Sequence, residues 1–119
     1  MWNMFNKEQA DKISTGEKFV TRRLLQKRNG KTIQPCIIGK EYHIKIDRTK
    51  NRYGRIKPVS IKLETVVDVA WMSDVEAKRE GFETSMDYWN YFMRLHKGKG
   101  LCEDDYLWRI EFVYLGESN

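Results

Sequence analysis

The chain has 119 residues, 40% of them hydrophobic and 33% charged, with a formal net charge of +5. This length and apolar content predict one domain, residues 1–119, that buries roughly two-thirds of its unfolded surface, and they exclude a disordered chain. No stretch approaches the roughly 18 to 20 uncharged apolar residues of a bilayer helix, so no membrane partner is expected.

Met1 to Phe5 reads as a short strand, followed by a polar helix from its cap Asn6 through Ile13 to a stop at Gly16. Glu17 to Leu25 carries the β-favouring Phe19, Val20 and Thr21, and Asn29-Gly30 and Gln34-Pro35 mark turns. Tyr42, Ile44 and Ile46 alternate with His43, Lys45 and Asp47 as in a half-buried strand. Ile56 to Trp71 reads as one long strand or two, with Val59, Ile61 and Leu63 on one face and a bend near Asp68; Pro58 implies an edge or a bulge. Ser73-Asp74-Val75-Glu76 has the form of a capping box, and Gly81 stops that helix. Thr84-Ser85-Met86-Asp87 starts a second helix whose stripe Trp89, Phe92, Met93 and His96, widened by Tyr88, Tyr91 and Leu95, is expected to face the core. After the turn Lys97 to Gly100, Tyr106 to Leu115 alternates as a closing strand. The pattern is that of an α+β domain around a twisted, barrel-like sheet of about five or six strands with a late helical pair.

The N-terminus MWNMFNKEQ lacks the basic start, apolar middle and cleavage site of a signal peptide, and a cytoplasmic location is expected. Cys36 and Cys102 stand far apart in unlike contexts, and neither they nor His43, His96 and Glu103 show metal-ligand spacing. No metal and no cofactor is therefore expected. The Met- and Trp-rich ends are compatible with a monomer or a dimer.

The charge is uneven. Thr21 to Lys62 holds thirteen basic residues against Glu41 and Asp47, a local charge of +11, while the remainder carries −6. A polyanion is the natural partner of such a segment. Arg48, Lys50, Arg52 and Arg55 surround Tyr53, on which an unpaired base can stack, and this loop is the expected nucleic-acid contact. The alternative is a basic surface that only keeps the domain soluble.

The segment Ile13 to Arg23, with its helix end, Gly16 and the run Lys18-Phe19-Val20-Thr21-Arg22-Arg23, resembles the opening of the ASCH domains. Ala77-Lys78-Arg79-Glu80-Gly81-Phe82 and the aromatic helix after it resemble the second block of that family, and Trp108-Arg109-Ile110-Glu111-Phe112 is similar to its last strand. The resemblance implies a PUA-like barrel (named for pseudouridine synthase and archaeosine transglycosylase) with a cleft beside it, and RNA or a modified nucleoside as ligand. Within the family it resembles the small bacterial amidohydrolases of 4-acetylcytidine, which implies catalytic roles for Lys18, Thr21 and Glu80. A non-catalytic protein-interaction module is a further reading.

A threonine hydroxyl attacks an amide only if a base removes its proton, and a lysine serves as that base only if burial or neighbouring positive charge, here Arg22 and Arg23, lowers its pKa. Glu80 would pass a proton to the leaving amine. Lys18 and Thr21 face opposite ways in a regular strand, so a shared site requires an irregular entry after Gly16. Arg22 and Arg23 are candidate ligand-binding residues: one is expected in the cleft and one on the surface, with Arg22 on the face of Lys18. The structural alternative is an ion pair of Lys18 with Glu80 across the barrel mouth, with Thr21 merely favouring its strand.

Overall fold

The computed structural model describes residues 2–46 and 53–117. Strand β1 (Met4–Phe5) leads into helix α1 (Lys7–Ser14), which starts where the Asn6 side chain accepts the N–H of Gln9. Strand β2 (Val20–Leu24) follows, then a hairpin of β3 (Gln26–Arg28) and β4 (Lys31–Ile33). Asn29 and Gly30 close that hairpin, both at positive φ, as a tight two-residue turn between twisted strands requires.

The predicted strand from Tyr42 to Asp47 is divided. Its first part, β5 (Tyr42–His43), pairs with β7 (Arg55–Thr65), and its second, β6 (Lys45–Ile46), runs parallel to β1. The fully buried Ile44 lies between them and donates its N–H to the Gly54 carbonyl, which takes it out of either ladder. Asp47 falls outside the described residues.

The strand expected to continue to Trp71 ends at Thr65, and Val66–Ala70 is helix α2. Here local capping and burial outweigh the β preference of three valines. Asp68 accepts the N–H of Thr65 at 2.8 Å, and Val66 and Val69 are buried among helical side chains. Pro58 sits at a bulge, as its missing N–H suggests: the pairing with β8 (Tyr106–Gly116) slips between Pro58 and Ser60. Val59 and Leu63 lie exposed, and only Ile61 of the expected face packs on a core.

Helices α3 (Asp74–Arg79) and α4 (Ser85–Leu95) start at Ser73 and Thr84, whose hydroxyls accept the N–H groups of Glu76 and Asp87. The buried face of α4 is Tyr88 and Phe92, whereas Met93 and Leu95 are exposed, so the apolar stripe is narrower than its sequence suggests.

The main sheet is antiparallel, in the order β2-β8-β7-β5, and curls into a half-barrel; β1 with β6 and β3 with β4 form two small separate pairs. Strand β8 is covered on both faces. Ile110 and Phe112 join Trp2, Phe5, Ile13, Ile44 and Ile56 in one core, while Leu107 joins Val66, Val69, Ala77, Tyr88 and Phe92 in another. Since side chains alternate along a strand, Arg109 falls on the helical face beside Leu107, and Arg22, its partner across the ladder, falls there too.

Candidate functional site

Buried charge on that face forms a continuous network. Lys18 lies just outside β2, bridged to Glu80 at the end of α3, and both residues are only 2% exposed. The Lys18 ammonium donates to Glu80 Oε1 at 2.6 Å, to the Glu80 carbonyl at 3.0 Å and to the Val20 carbonyl at 2.8 Å, which occupies all three of its protons. Glu80 Oε2 accepts from Arg22 Nη1 at 3.0 Å, and Arg22 also donates to Glu64 at 2.8 Å and Glu76 at 3.0 Å. Arg109 grips Glu76 with two hydrogen bonds of 2.8 and 2.9 Å and reaches Glu111 at 3.3 Å. Cations and carboxylates thus alternate from Lys18 to Glu111, each buried charge being answered by another.

The close approach of α1, α3 and the start of β2 depends on Gly81. Its φ is +91°, and an added Cβ would lie 3.1 Å from Lys12 Cδ and 3.3 Å from Lys18 Cβ. Lys12 donates to the Gly81 carbonyl at 2.7 Å, pinning α1 to the same turn.

Protonation follows from this burial. Desolvation pushes the Lys18 pKa below its ordinary value, only partly opposed by Glu80. Burial acts against the charge of Arg22 as well, but Glu80 and Glu64 outweigh it and hold the pKa up. Glu76 is lowered to about 2, chiefly by its hydrogen bonds from Arg109. The Tyr88 phenol is held well above its usual value by burial and by the Glu80 charge beside it.

The irregular entry expected after Gly16 is present: Gly16 has φ +84°, and the β2–β8 ladder begins only at Val20. Thr21, 1% exposed, pairs with Ile110 and projects from the face of β2 opposite Arg22. Lys18 and Glu80 are therefore in direct contact, while the Lys18 protons go to Glu80 and Val20 and none to Thr21. Nor does one arginine stay on the surface. Arg23 donates to the carbonyls of Trp2, Arg22 and Met4 and lies over the Phe5 ring, fastening the N-terminal segment to β2.

A cleft of about 300 Å³ opens beside β2, walled by Trp2, Trp108, His96 and the hairpin residues Gln26 and Ile33, with Lys99 also on its lining. Of the residues expected to line a cleft, Arg22 and Arg23 do so, whereas Lys18, Thr21 and Glu80 do not. Among the described residues four buried side-chain nitrogens lack a hydrogen-bond partner, and three of them, Trp2 Nε1, Trp108 Nε1 and His96 Nδ1, belong to this cleft. Burial, followed by the charges of Lys99 and Arg23, lowers the His96 pKa, so the imidazole is neutral at pH 7.

Of the expected nucleic-acid contacts, Arg48, Lys50 and Arg52 fall outside the described residues. Tyr53 packs against the first core instead of standing free, and Arg55 pairs with Glu41 at 2.9 Å. Glu76, Glu64, Arg109, Trp2, Trp108 and His96 escaped the sequence reading. Glu76 was assigned to capping, but its carboxylate serves Arg22 and Arg109. Arg109 and Glu111, set among the apolar residues of the closing strand, are the available signal.

No protein-family model matches the sequence, and no curated protein matches it. Solved structures do. A DUF984-family protein from Enterococcus faecalis superposes with a TM-score of 0.70 at 18% identity, covering 94% of this chain and 72% of the other. An ASCH domain from Lactobacillus crispatus gives 0.65 at 23% identity, covering 90% and 70%. A tyrosine-to-phenylalanine mutant of an ASCH protein from Zymomonas mobilis gives 0.58 at 18% identity, covering 98% and 72%. The α+β half-barrel with its capped helical pair is thus the fold of the ASCH domains.

Proposed function

We propose that the chain binds a nucleobase, as a modified nucleoside or within RNA, in the cleft between β2, the β3–β4 hairpin and the end of α4. The observation that carries this reading is the gathering around one cleft of Trp2, Trp108 and His96, each with a buried ring nitrogen that lacks a hydrogen-bond partner among the described residues. Each such buried group left unsatisfied costs about 1–3 kcal/mol, and a planar heterocycle that stacks on one ring presents its acceptor edge to the N–H of another. The volume of about 300 Å³ is at the small end for ligand sites and suits one base or nucleoside. Calorimetric titration with cytidine and 4-acetylcytidine is expected to show binding that falls at least fivefold in Trp108→Phe, which keeps an aromatic ring and deletes the N–H. Equal affinity in the variant, or no binding of either nucleoside, counts against the reading.

Amidohydrolysis of an acylated cytidine is the second reading, favoured by the lowered pKa of Lys18 and its 2.6 Å contact with Glu80. In that scheme, which requires Lys18 in its neutral form and within reach of Thr21, Thr21 Oγ1 bonds to the acyl carbon as Lys18 takes its proton, and that proton passes through the Lys18–Glu80 contact to the amine as the C–N bond breaks. Water then releases the acid from Thr21. Acetate release from 4-acetylcytidine that disappears in Thr21→Val supports it; turnover retained in that variant, or none in the wild type, removes Thr21 as nucleophile.

A further inference from the structure

Two exposed patches of opposite charge flank one end of the main sheet. In the order β2-β8-β7, strand β2 leaves this end into the β3–β4 hairpin and β7 leaves it into α2, while β8 enters between them from the turn 102–105. The Leu25 N–H donates to the Tyr106 carbonyl at 3.3 Å where the hairpin departs, so hairpin and α2 stand on opposite sides of Tyr106, each about 5 Å away in strand spacing. The turn leans toward α2: the carbonyls of Asp105 and Glu103 accept the N–H groups of Val66 and Val67. Lys27, Arg28 and Lys31 are exposed on the hairpin side, and Asp68, Glu103 and Asp104 are exposed on the other. None of the six enters an ion pair among the described residues.

The surface between and beside these charges is apolar. Tyr106 is exposed, and so are Val67 and Trp71, one helical turn apart, with the Trp71 N–H donating to the Val67 carbonyl. Trp71 is 85% exposed and belongs to neither core. An indole left in water forgoes the burial that makes tryptophan the commonest anchor of protein interfaces. Positive on one side, negative on the other and apolar between, the strip is complementary to itself. A twofold axis through its middle lays each hairpin on the acidic turn of the other copy and brings the two apolar strips together. A basic partner of another kind would answer only the acidic half, whereas a second copy of this chain answers both halves with one repeated contact. We propose that this end of the sheet is the interface of a homodimer, with the hairpin cations set against the acidic turn of the other copy and Trp71 as the apolar anchor.

The test is sedimentation equilibrium on the full chain in low salt with no ligand added, so that its outcome is independent of the base-binding reading. Wild type is compared with Lys27→Glu/Lys31→Glu, with Glu103→Lys/Asp104→Lys, with an equimolar mixture of these two, and with Trp71→Ala. The wild type is expected to dimerise, and more weakly as salt is added. Each charge-reversed protein sets like charges together twice in its own dimer and is expected to be monomeric. Their mixture is expected to restore a dimer, because both contacts of the mixed pair are again of opposite sign. Trp71→Ala touches neither charged patch and is expected to raise the dissociation constant about 30-fold. Wild type that stays monomeric up to about 0.2 mM overturns the proposal, as does a dimer that survives both reversals or a mixture that remains monomeric. Trp71→Ala with unchanged affinity overturns the place of Trp71 in the interface whatever the charged variants do.

Discussion

Replacing Glu80 by Gln removes one charge from the centre of the buried network and keeps the shape of the side chain. Its two oxygens answer Lys18 at 2.6 Å and Arg22 at 3.0 Å, and the side chains of all three residues are at most 2% exposed. Breaking one side of such a pair costs about 3–5 kcal/mol, because the desolvated partner is left uncompensated. At roughly 4 °C per kcal/mol for a domain of this size, the expected loss in Tm is about 12–20 °C. The variant also has a wider pH signature than the wild type. Without Glu80, nothing in that position opposes the burial that already lowers the Lys18 pKa from 10.5, so the folded state releases the Lys18 proton at a lower pH than the unfolded chain does. Between those two values the unfolded chain binds more protons, and the stability of the variant rises with pH by up to about 1.4 kcal/mol per unit. Urea denaturation followed by circular dichroism from pH 6 to 10 measures both effects. The double change Lys18→Met/Glu80→Leu, which removes both charges, is expected to recover most of the loss. A Glu80→Gln variant within about 1 kcal/mol of wild type at pH 7, or a double variant whose loss equals the sum of its singles, would refute the account of these residues as one interlocked unit.

Glu76, with a pKa lowered to about 2, contributes stability that is fully present above its ordinary value of 4.5 and is lost as pH falls toward 2. Glu76→Gln is expected to remove up to about 3 kcal/mol at pH 7 and to flatten the acid limb of the stability curve between pH 5 and 2; an unaltered acid limb contradicts that role. Gly81→Ala places a methyl group against Lys12 and Lys18 at a left-handed φ, and a loss of about 1–2 kcal/mol in denaturant melts is expected, whereas no loss would mean that the turn is less tightly constrained.

The parts of the fold legible in the sequence were those in which local chemistry and burial agree. Asn6, Ser73 and Thr84 cap the helices their side chains announce, and Pro58 falls at a bulge. Where tertiary contacts decide, sequence misled: Val66 to Ala70 reads as strand by side-chain type but forms a helix because Asp68 caps it and the opposite cluster buries Val66 and Val69. The contact between Lys18 and Glu80 was anticipated as a pair. Arg22's additional partners were not, since Glu64 lies 42 residues away in sequence and Glu76 54 residues away. A cleft was expected from the family resemblance, but its aromatic lining was not legible for the same reason. Trp2, His96 and Trp108 come from three distant segments, and each alone reads as an ordinary core residue.

The central claim is that a base occupies the cleft between β2, the hairpin and α4, and the four indole N–H signals of the protein test it most directly. Trp2 and Trp108 line the cleft, Trp89 packs in the helical core, and Trp71 is 85% exposed away from both. In ¹H–¹⁵N correlation spectra recorded while 4-acetylcytidine or a short single-stranded RNA is added, the Trp2 and Trp108 indole signals are expected to move together and saturate, with those of Trp71 and Trp89 fixed. Movement confined to Trp71 or Trp89, or four stationary signals at saturating ligand, would contradict the account.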